Sequence, residues 1–255
     1  MMLDLYVRAD AWYHRFDPRT KFGLTLLFVV AAALIRNPLA MFALLALLHI
    51  LPLSSRVPPA RLLAAWRPLW PITLVILVLG SFTWGAGAAS VWWRWGQVSV
   101  GPASVLQAVT MALRVDALAF AFSLLLWTTE QGELVAGLTR LGLPHSASLT
   151  LAMSMQFVPT FGRIFGEIME AQESRGLVIP RNPLRAARAY LPVLIPLIIT
   201  ALRTVDHLAM ALAARGYGAA SRRTSRRQLR MRRADALALA GGAVVLLVVL
   251  LARGL

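Results

Sequence analysis

Apolar residues along this chain gather into five long blocks instead of alternating with polar ones. The blocks are Phe22 to Ile35, Leu39 to Leu53, Leu69 to Trp84, Val105 to Trp127 and Ala236 to Ala252. Spanning about 30 Å of hydrocarbon takes about 20 mostly apolar residues, fewer where flanking Arg or Lys reach outward. The first block is short, but Lys21 and Arg36 flank it and can leave their stems in the apolar zone. The pattern predicts an all-α fold: an integral membrane helical bundle of about five transmembrane helices, with long cytoplasmic helices between the fourth and the fifth.

Two further stretches are apolar enough to compete. Leu141 to Gly162 is uncharged for 22 residues, and Ala189 to Leu202 could span in company with it. If both crossed, Arg163, Arg175, Arg181, Arg185 and Arg188 would lie outside, whereas basic residues near span ends are retained in the cytoplasm. Both are therefore expected at the inner interface or packed on the bundle, with interruptions at Pro144, His145, Gln156 and Pro159. The same rule orients the chain. Arg8, Arg15, Arg19 and Lys21 precede the first span, and Arg56, Arg61 and Arg67 fill the second connection. The first and third connections hold only Arg36 and Arg94. The N-terminus is thus expected inside, residues 128–235 with their fifteen arginines in the cytoplasm, and the short tail outside. The resulting organisation is 1–127 (N-terminal segment and four spans), 128–235 (cytoplasmic or interfacial helices) and 236–255 (last span). Trp66, Trp70, Trp84, Trp92, Trp93, Trp95 and Trp127 fall at or just beyond expected span ends, where amphipathic rings prefer to sit, and Trp12 is placed along the inner surface.

Composition agrees with a lipid solvent. The 255 residues are 58% hydrophobic and 15% charged, with a mean hydropathy of +0.67, against about 45 to 50% and 25% in an ordinary globular domain. Net charge is +15, and 25 of the 26 basic residues are arginine, Lys21 being the single lysine. Nucleic-acid binding would show as a basic face with stacking aromatics on a soluble module, which this pattern lacks. Cysteine is absent, which removes disulfides, thiolate metal sites and cysteine nucleophiles. The N-terminus is too polar for a signal peptide, so the first apolar run is expected to be retained.

The chemistry-bearing candidates lie in the arginine-rich stretch. Glu167, Glu170 and Glu173 recur every third residue while Ile164, Ile168 and Ala171 line another side, predicting a helix with an acidic stripe that stops at Gly176, with Pro180 and Pro183 beyond. Arg175 sits in its last turn, where the carbonyl end of a helix favours a cation. A second helix runs from about Pro192 and ends near Gly216 and Gly218, apolar at Leu194, Ile198, Leu202, Val205 and Leu212, with Arg203 and His207 one turn apart on its polar side. One long helix thus closes on Ser174-Arg175-Gly176 and another, 40 residues later, on Ala214-Arg215-Gly216. An arginine fork stays charged when desolvated and suits a helix tip that must hold a partner's carboxylates or carbonyls, so two such tips imply two receiving sites.

On LYVRADAWYHRFDPRTKFG, MSMQFVPTFGRIFGEIMEAQESRGL and the stretch ending LRTVDHLAMALAARGYG, the chain resembles the T component, or transmembrane coupling subunit, of energy-coupling factor transporters. That resemblance covers most of the chain. It implies an importer of vitamins or transition-metal ions such as cobalt in the cell inner membrane, and Ala-Arg-Gly motifs whose arginines dock into two cytoplasmic ATP-binding cassette ATPase subunits. It also implies a separate membrane substrate-binding subunit. Here Ser174 stands where the family has alanine, a small residue in either case.

Other features receive plain readings. No GxxxxGK[ST] occurs and Lys21 is the only lysine, so ATP hydrolysis is expected in partner subunits and no catalytic residue or cofactor is assigned. His14, His49, His145 and His207 lack metal-ligand spacing and are read as satisfied polar residues. Arg114 and Asp116 are an intramembrane pair or, preferably, lie near the outer interface. The run Arg222 to Arg233 is read as an inner-leaflet anchor with membrane lipid as partner. The rival readings are the substrate-translocating permease of a conventional ABC importer, a secondary carrier, which should show intramembrane charges and inverted repeats, and a membrane-embedded enzyme.

Overall fold

The computed structural model describes residues 11–83, 93–95, 98–180, 182–219 and 231–254. Its helices are α1 Pro18–Leu34, α2 Pro38–Ser54, α3 Pro59–Thr83, α4 Pro102–Thr128, α5 Gln131–Arg140, α6 His145–Ser174, α7 Pro183–Ala189, α8 Leu191–Ala214 and α9 Arg233–Gly254. Between α3 and α4 lies a small antiparallel hairpin, β1 Trp93–Trp95 with β2 Val98–Val100, paired Trp93 to Val100 and Trp95 to Val98.

Proline sets where these helices begin. It takes the first position of α1, α2 and α4, where its missing N–H costs nothing and its φ is already helical. Ahead of α1 and α2 the side chains of Asp17 and Asn37 accept hydrogen bonds from the amides of Arg19 and Leu39, at 3.0 and 2.9 Å. Gly101 precedes α4, its amide donating to Ser104 Oγ at 3.0 Å.

The described chain forms two compact units: residues 11–144 with 231–254, and residues 145–219. The first is the bundle of α1 to α5 and α9. Its core gathers Tyr13, Phe28, Met41, Leu48, Phe120 and Trp127, with α4 packed against α1, α2 and α3. The second consists of α6, α7 and α8.

Helices occupy all five expected spans. Of these, α3 and α4 are long and apolar enough to cross a membrane, and α2 is a shorter apolar helix. Much of the apolar surface of α3 points outward, as Leu63, Trp70, Val75 and Leu79 do, which is the surface a lipid-facing helix presents. Several expectations change. Helix α3 begins ten residues before Leu69, so Arg61 and Arg67 lie on the helix and only Arg56 remains in the connection. Pro68 and Pro71 do not break it, because other groups near a membrane helix can satisfy the freed carbonyls. Trp127 is a core residue, 4% exposed. Trp66 is half-buried, donating from Nε1 to His49 Nε2 at 3.2 Å beside Phe120. Neither serves as an interfacial anchor, since α4 and α3 carry them inward. His49 also bonds the Leu45 carbonyl at 2.8 Å, so it is a satisfied polar residue as read. The stretch Ala189 to Leu202 is divided: Ala189 ends α7, and Leu191 to Leu202 open α8, one 24-residue helix that by length and composition is also able to cross a membrane. By contact, α5 belongs to the bundle unit instead of joining α6 to α8. Arg8, Trp84, Trp92 and Arg222 to Arg230 lie outside the described residues.

Candidate functional site

Helices α6 and α8 pack as an antiparallel pair. Near one end Gln172 Nε2 donates to the Pro192 carbonyl at 3.2 Å; near the other the rings of His145 and Tyr217 stack with centroids 6.5 Å apart. Thus the C-terminus of α6 lies beside the start of α8, and the C-terminus of α8 beside the start of α6. The two Arg-Gly motifs are not brought together: they mark opposite ends of the pair. Helices of 30 and 24 residues put those ends about 40 Å apart at 1.5 Å per residue.

The ends themselves are built alike. In the first, Gly176 has φ +91°. Its amide donates to the Glu173 carbonyl at 2.9 Å and the Leu177 amide to that of Gln172 at 3.0 Å. In the second, Gly216 has φ +73°. Its amide donates to Ala213 at 2.9 Å and that of Tyr217 to Leu212 at 2.9 Å. Both are Schellman closures, in which a left-handed glycine lets the chain turn back and satisfy the last helical carbonyls. The arginine occupies the same place in each, one residue before the glycine. Arg175 and Arg215 are exposed, and neither guanidinium has a hydrogen bond or ion pair among the described residues. Ser174 turns its hydroxyl onto the Glu170 carbonyl at 2.8 Å, so outwardly it keeps nearly the small profile of alanine. Ala214, like Ser174, is exposed.

The Schellman closure alone is not a functional mark. Helix α5 ends the same way, on Gly142 with φ +117°, but with Leu141 where the other two have arginine. What separates the α6 and α8 ends is an unpaired cation held on an ordered turn. The acidic stripe on α6 is exposed, and its one ion pair among the described residues, Arg163 to Glu167 at 3.9 Å, is a surface pair of little energetic weight. The flanks of both helices remain apolar and open: Met155 and Val158 on α6, Ile195, Ile198, Leu202 and Met210 on α8.

A second set of residues lies in the bundle, where Lys21, expected to reach outward from the end of the first span, instead turns inward. Lys21, in the first turn of α1 ahead of the apolar run, is 0% exposed. Its Nζ donates to the His14 carbonyl at 3.1 Å and to the Thr128 carbonyl at 2.6 Å. Burial lowers its pKa to about 8, against the raising effect of Glu133, Asp235 and Asp17. Asp235, 1% exposed, accepts from the amides of Asp17 at 2.9 Å and Arg232 at 2.7 Å. These bonds fasten the N-terminal segment, the end of α4 and the start of α9 to one another. Small residues let α1 and α9 approach: a Cβ on Gly23 would stand 2.8 Å from Leu239 Cδ2, and one on Gly242 would stand 2.9 Å from Leu24 Cδ2 and Leu27 Cδ1. Arg114 and Asp116 do not pair; Arg114 Nη2 donates to the Ile35 carbonyl at 2.7 Å, and Asp116, 1% exposed, accepts from Thr73 Oγ1 at 2.8 Å. Among the described residues no group of three His, Asp or Glu side chains is placed to hold a metal ion.

A bundle of apolar helices joined in one chain to a helix pair with two cationic ends defines a multi-pass membrane protein suited to engaging other subunits. Residues 9–226 match the CbiQ family, described as cobalt transport protein. The chain is also similar to energy-coupling factor transporter transmembrane proteins. With that of Acidaminococcus fermentans it is 32% identical over 92% of this chain and 90% of the relative. With that of Brevibacillus brevis the figures are 33% over 83% of each, and with that of Bacillus subtilis 31% over 90% and 89%. The chain belongs to this family, the T components of energy-coupling factor transporters, and is a membrane protein of transport.

Proposed function

We propose that the chain is the non-catalytic scaffold of an ATP-driven importer, linking two cytoplasmic ATP-binding cassette ATPase subunits to a membrane substrate-binding subunit. The N-terminus and residues 128–235 face the cytoplasm, as the arginine distribution requires. Arg175 docks into one ATPase subunit and Arg215 into the other, with Ser174, Gly176, Ala214 and Gly216 giving each arginine its small, turned-back surroundings. The substrate-binding subunit selects the cargo, a vitamin or a transition-metal ion. One observation carries this reading: two identical helix closures, each presenting an unpaired, exposed guanidinium, at opposite ends of one antiparallel pair. Two ATPase subunits side by side need two contacts set apart. A permease that offers one coupling helix per subunit needs only one.

The test is charge reversal at matched expression, with substrate uptake and ATPase co-purification as readouts. Truncating one arm of a buried charged contact costs about 2 to 5 kcal/mol, and reversing its sign adds repulsion. Arg175→Glu and Arg215→Glu should each abolish uptake or shed an ATPase subunit while the chain still inserts. Arg226→Glu and Arg230→Glu should cost much less. Equal transport by all four variants would refute the assignment.

A further inference from the structure

The bundle contains a cavity of about 570 Å³ where α1 gives way to α2 beside the first turns of α4. Two guanidiniums line it. Arg36 is exposed and has no bonding partner among the described residues. Arg114, half-buried on the spanning helix α4, spends Nη2 on the Ile35 carbonyl, while its buried Nε has no hydrogen-bond partner. The bond to Ile35 anchors the Arg114 side chain at this cavity. Gln107 and Thr110 add neutral polar groups, and among the described residues no acidic side chain lines the cavity. Asp116, two residues beyond Arg114, is engaged with Thr73.

Two helix N-termini also reach this cavity. Pro38, first residue of α2, and Ala103, second of α4, are both in its lining. Each helix start adds partial positive charge. Two arginines, two helix starts and no counter-carboxylate make an electropositive site. Leu106 and Met111 give it apolar wall as well, so the ligand that fits is an anion joined to a greasy body. The cavity lies at the ends of helices that cross a bilayer, which is where such molecules are concentrated. An arginine within a span carries a large cost unless it serves a site, and a guanidinium fork matches phosphate oxygens with strong charge-assisted hydrogen bonds.

We infer that this cavity binds the phosphodiester headgroup of an anionic phospholipid, with Arg36 and Arg114 as its two cationic contacts. The headgroup places a phosphate oxygen against each guanidinium, and its glycerol and upper acyl carbons lie along Leu106 and Met111. Arg36 has no other bond to lose, so it contributes affinity without a role in the fold. Arg114 has both roles.

The test uses the purified full chain in detergent and native mass spectrometry, titrating palmitoyl-oleoyl phosphatidylglycerol, palmitoyl-oleoyl phosphatidylcholine and inorganic phosphate separately. The intact chain should hold one phosphatidylglycerol molecule in preference to phosphatidylcholine. Arg36→Gln should bind it about tenfold more weakly, the low end of the loss expected for one hydrogen bond to a charged group. Arg114→Gln should do the same, and Arg67→Gln, on the exposed side of α3, should bind like the unmodified chain. Because Arg36 holds nothing else, its variant keeps the test decisive even if Arg114→Gln fails to fold. Equal binding by Arg36→Gln and the unmodified chain overturns the assignment. Saturation by inorganic phosphate without retention of phosphatidylglycerol gives the cavity to a free anion and overturns the lipid reading.

Discussion

Replacing Gly176 or Gly216 perturbs the two Arg-Gly helix ends proposed to couple to the ATPase subunits without touching the arginines. A Cβ built on Gly176 meets nothing within 4 Å, and one on Gly216 meets only the Ala219 Cβ at 4.0 Å. Sterics therefore contribute nothing, and the cost is that of a side chain at φ +91° or +73°. For an L-residue such a backbone costs about 1 to 2 kcal/mol, partly offset by the reduced freedom of alanine in the unfolded chain, about 0.4 to 1 kcal/mol. The net loss, about 1 kcal/mol, is small against a total stability of about 5 to 15 kcal/mol, so the chain should still insert and fold. It is large for a helix end closed by two hydrogen bonds, because 1.4 kcal/mol is about a tenfold change in population. The arginine next to a loosened closure loses its direction. Asparagine tolerates the left-handed region and β-branched residues do not. ATPase co-purification should consequently fall in the order Gly, Asn, Ala, Val at each position. Gly142 supplies the control, since it has the same closure, φ +117° and open space for a Cβ, but no arginine. Gly142→Val should lower the thermal midpoint as much as Gly176→Val does and leave ATPase retention intact. If the valine variants at 176 and 216 retain the ATPase subunits as well as Gly142→Val does, the ordered closure is irrelevant to coupling.

Three further outcomes are expected. Lys21 has a folded pKa of about 8, below its ordinary 10.5, so the unfolded chain binds more protons between those values and stability rises with pH there; from pH 8 to 9.5 the gain is about 2 kcal/mol. Thermal midpoints in detergent should climb across this window, and a Lys21→Met variant showing the same climb would assign it elsewhere. Gly242→Val forces a side chain against Leu24 and Leu27, an overpacking of about 1 to 3 kcal/mol, whereas Gly241→Val meets open space; equal midpoints for the two would contradict the close α1 to α9 packing. In this cysteine-free chain, Asn37→Cys should react with an impermeant thiol reagent from outside and Ser54→Cys should not, and the reverse pattern would invert the proposed orientation.

Five apolar blocks, the uneven sharing of arginine between successive connections and the repeated Arg-Gly helix ends were legible in the amino-acid sequence, because each rests on local chemistry. Lipid demands long apolar helices, and glycine ends a helix by accepting positive φ. These requirements act within a few residues, so a linear reading suffices. Relations between distant residues were not legible. Lys21 read as one more inner charge, yet it joins Thr128, 107 positions away, and Asp17 joins Asp235, 218 away. Nothing near Trp66 or Trp127 in the chain announced that they would turn inward, since an amphipathic ring suits a core partner as well as an interface. Gly23 of α1 and Gly242 of α9 carry no local signal in the chain; what gives them meaning is the contact between the two helices. The sequence showed two arginine tips; only tertiary packing set them at opposite ends of one pair, because the direction in which α8 returns along α6 depends on side-chain contacts across the whole length of both helices.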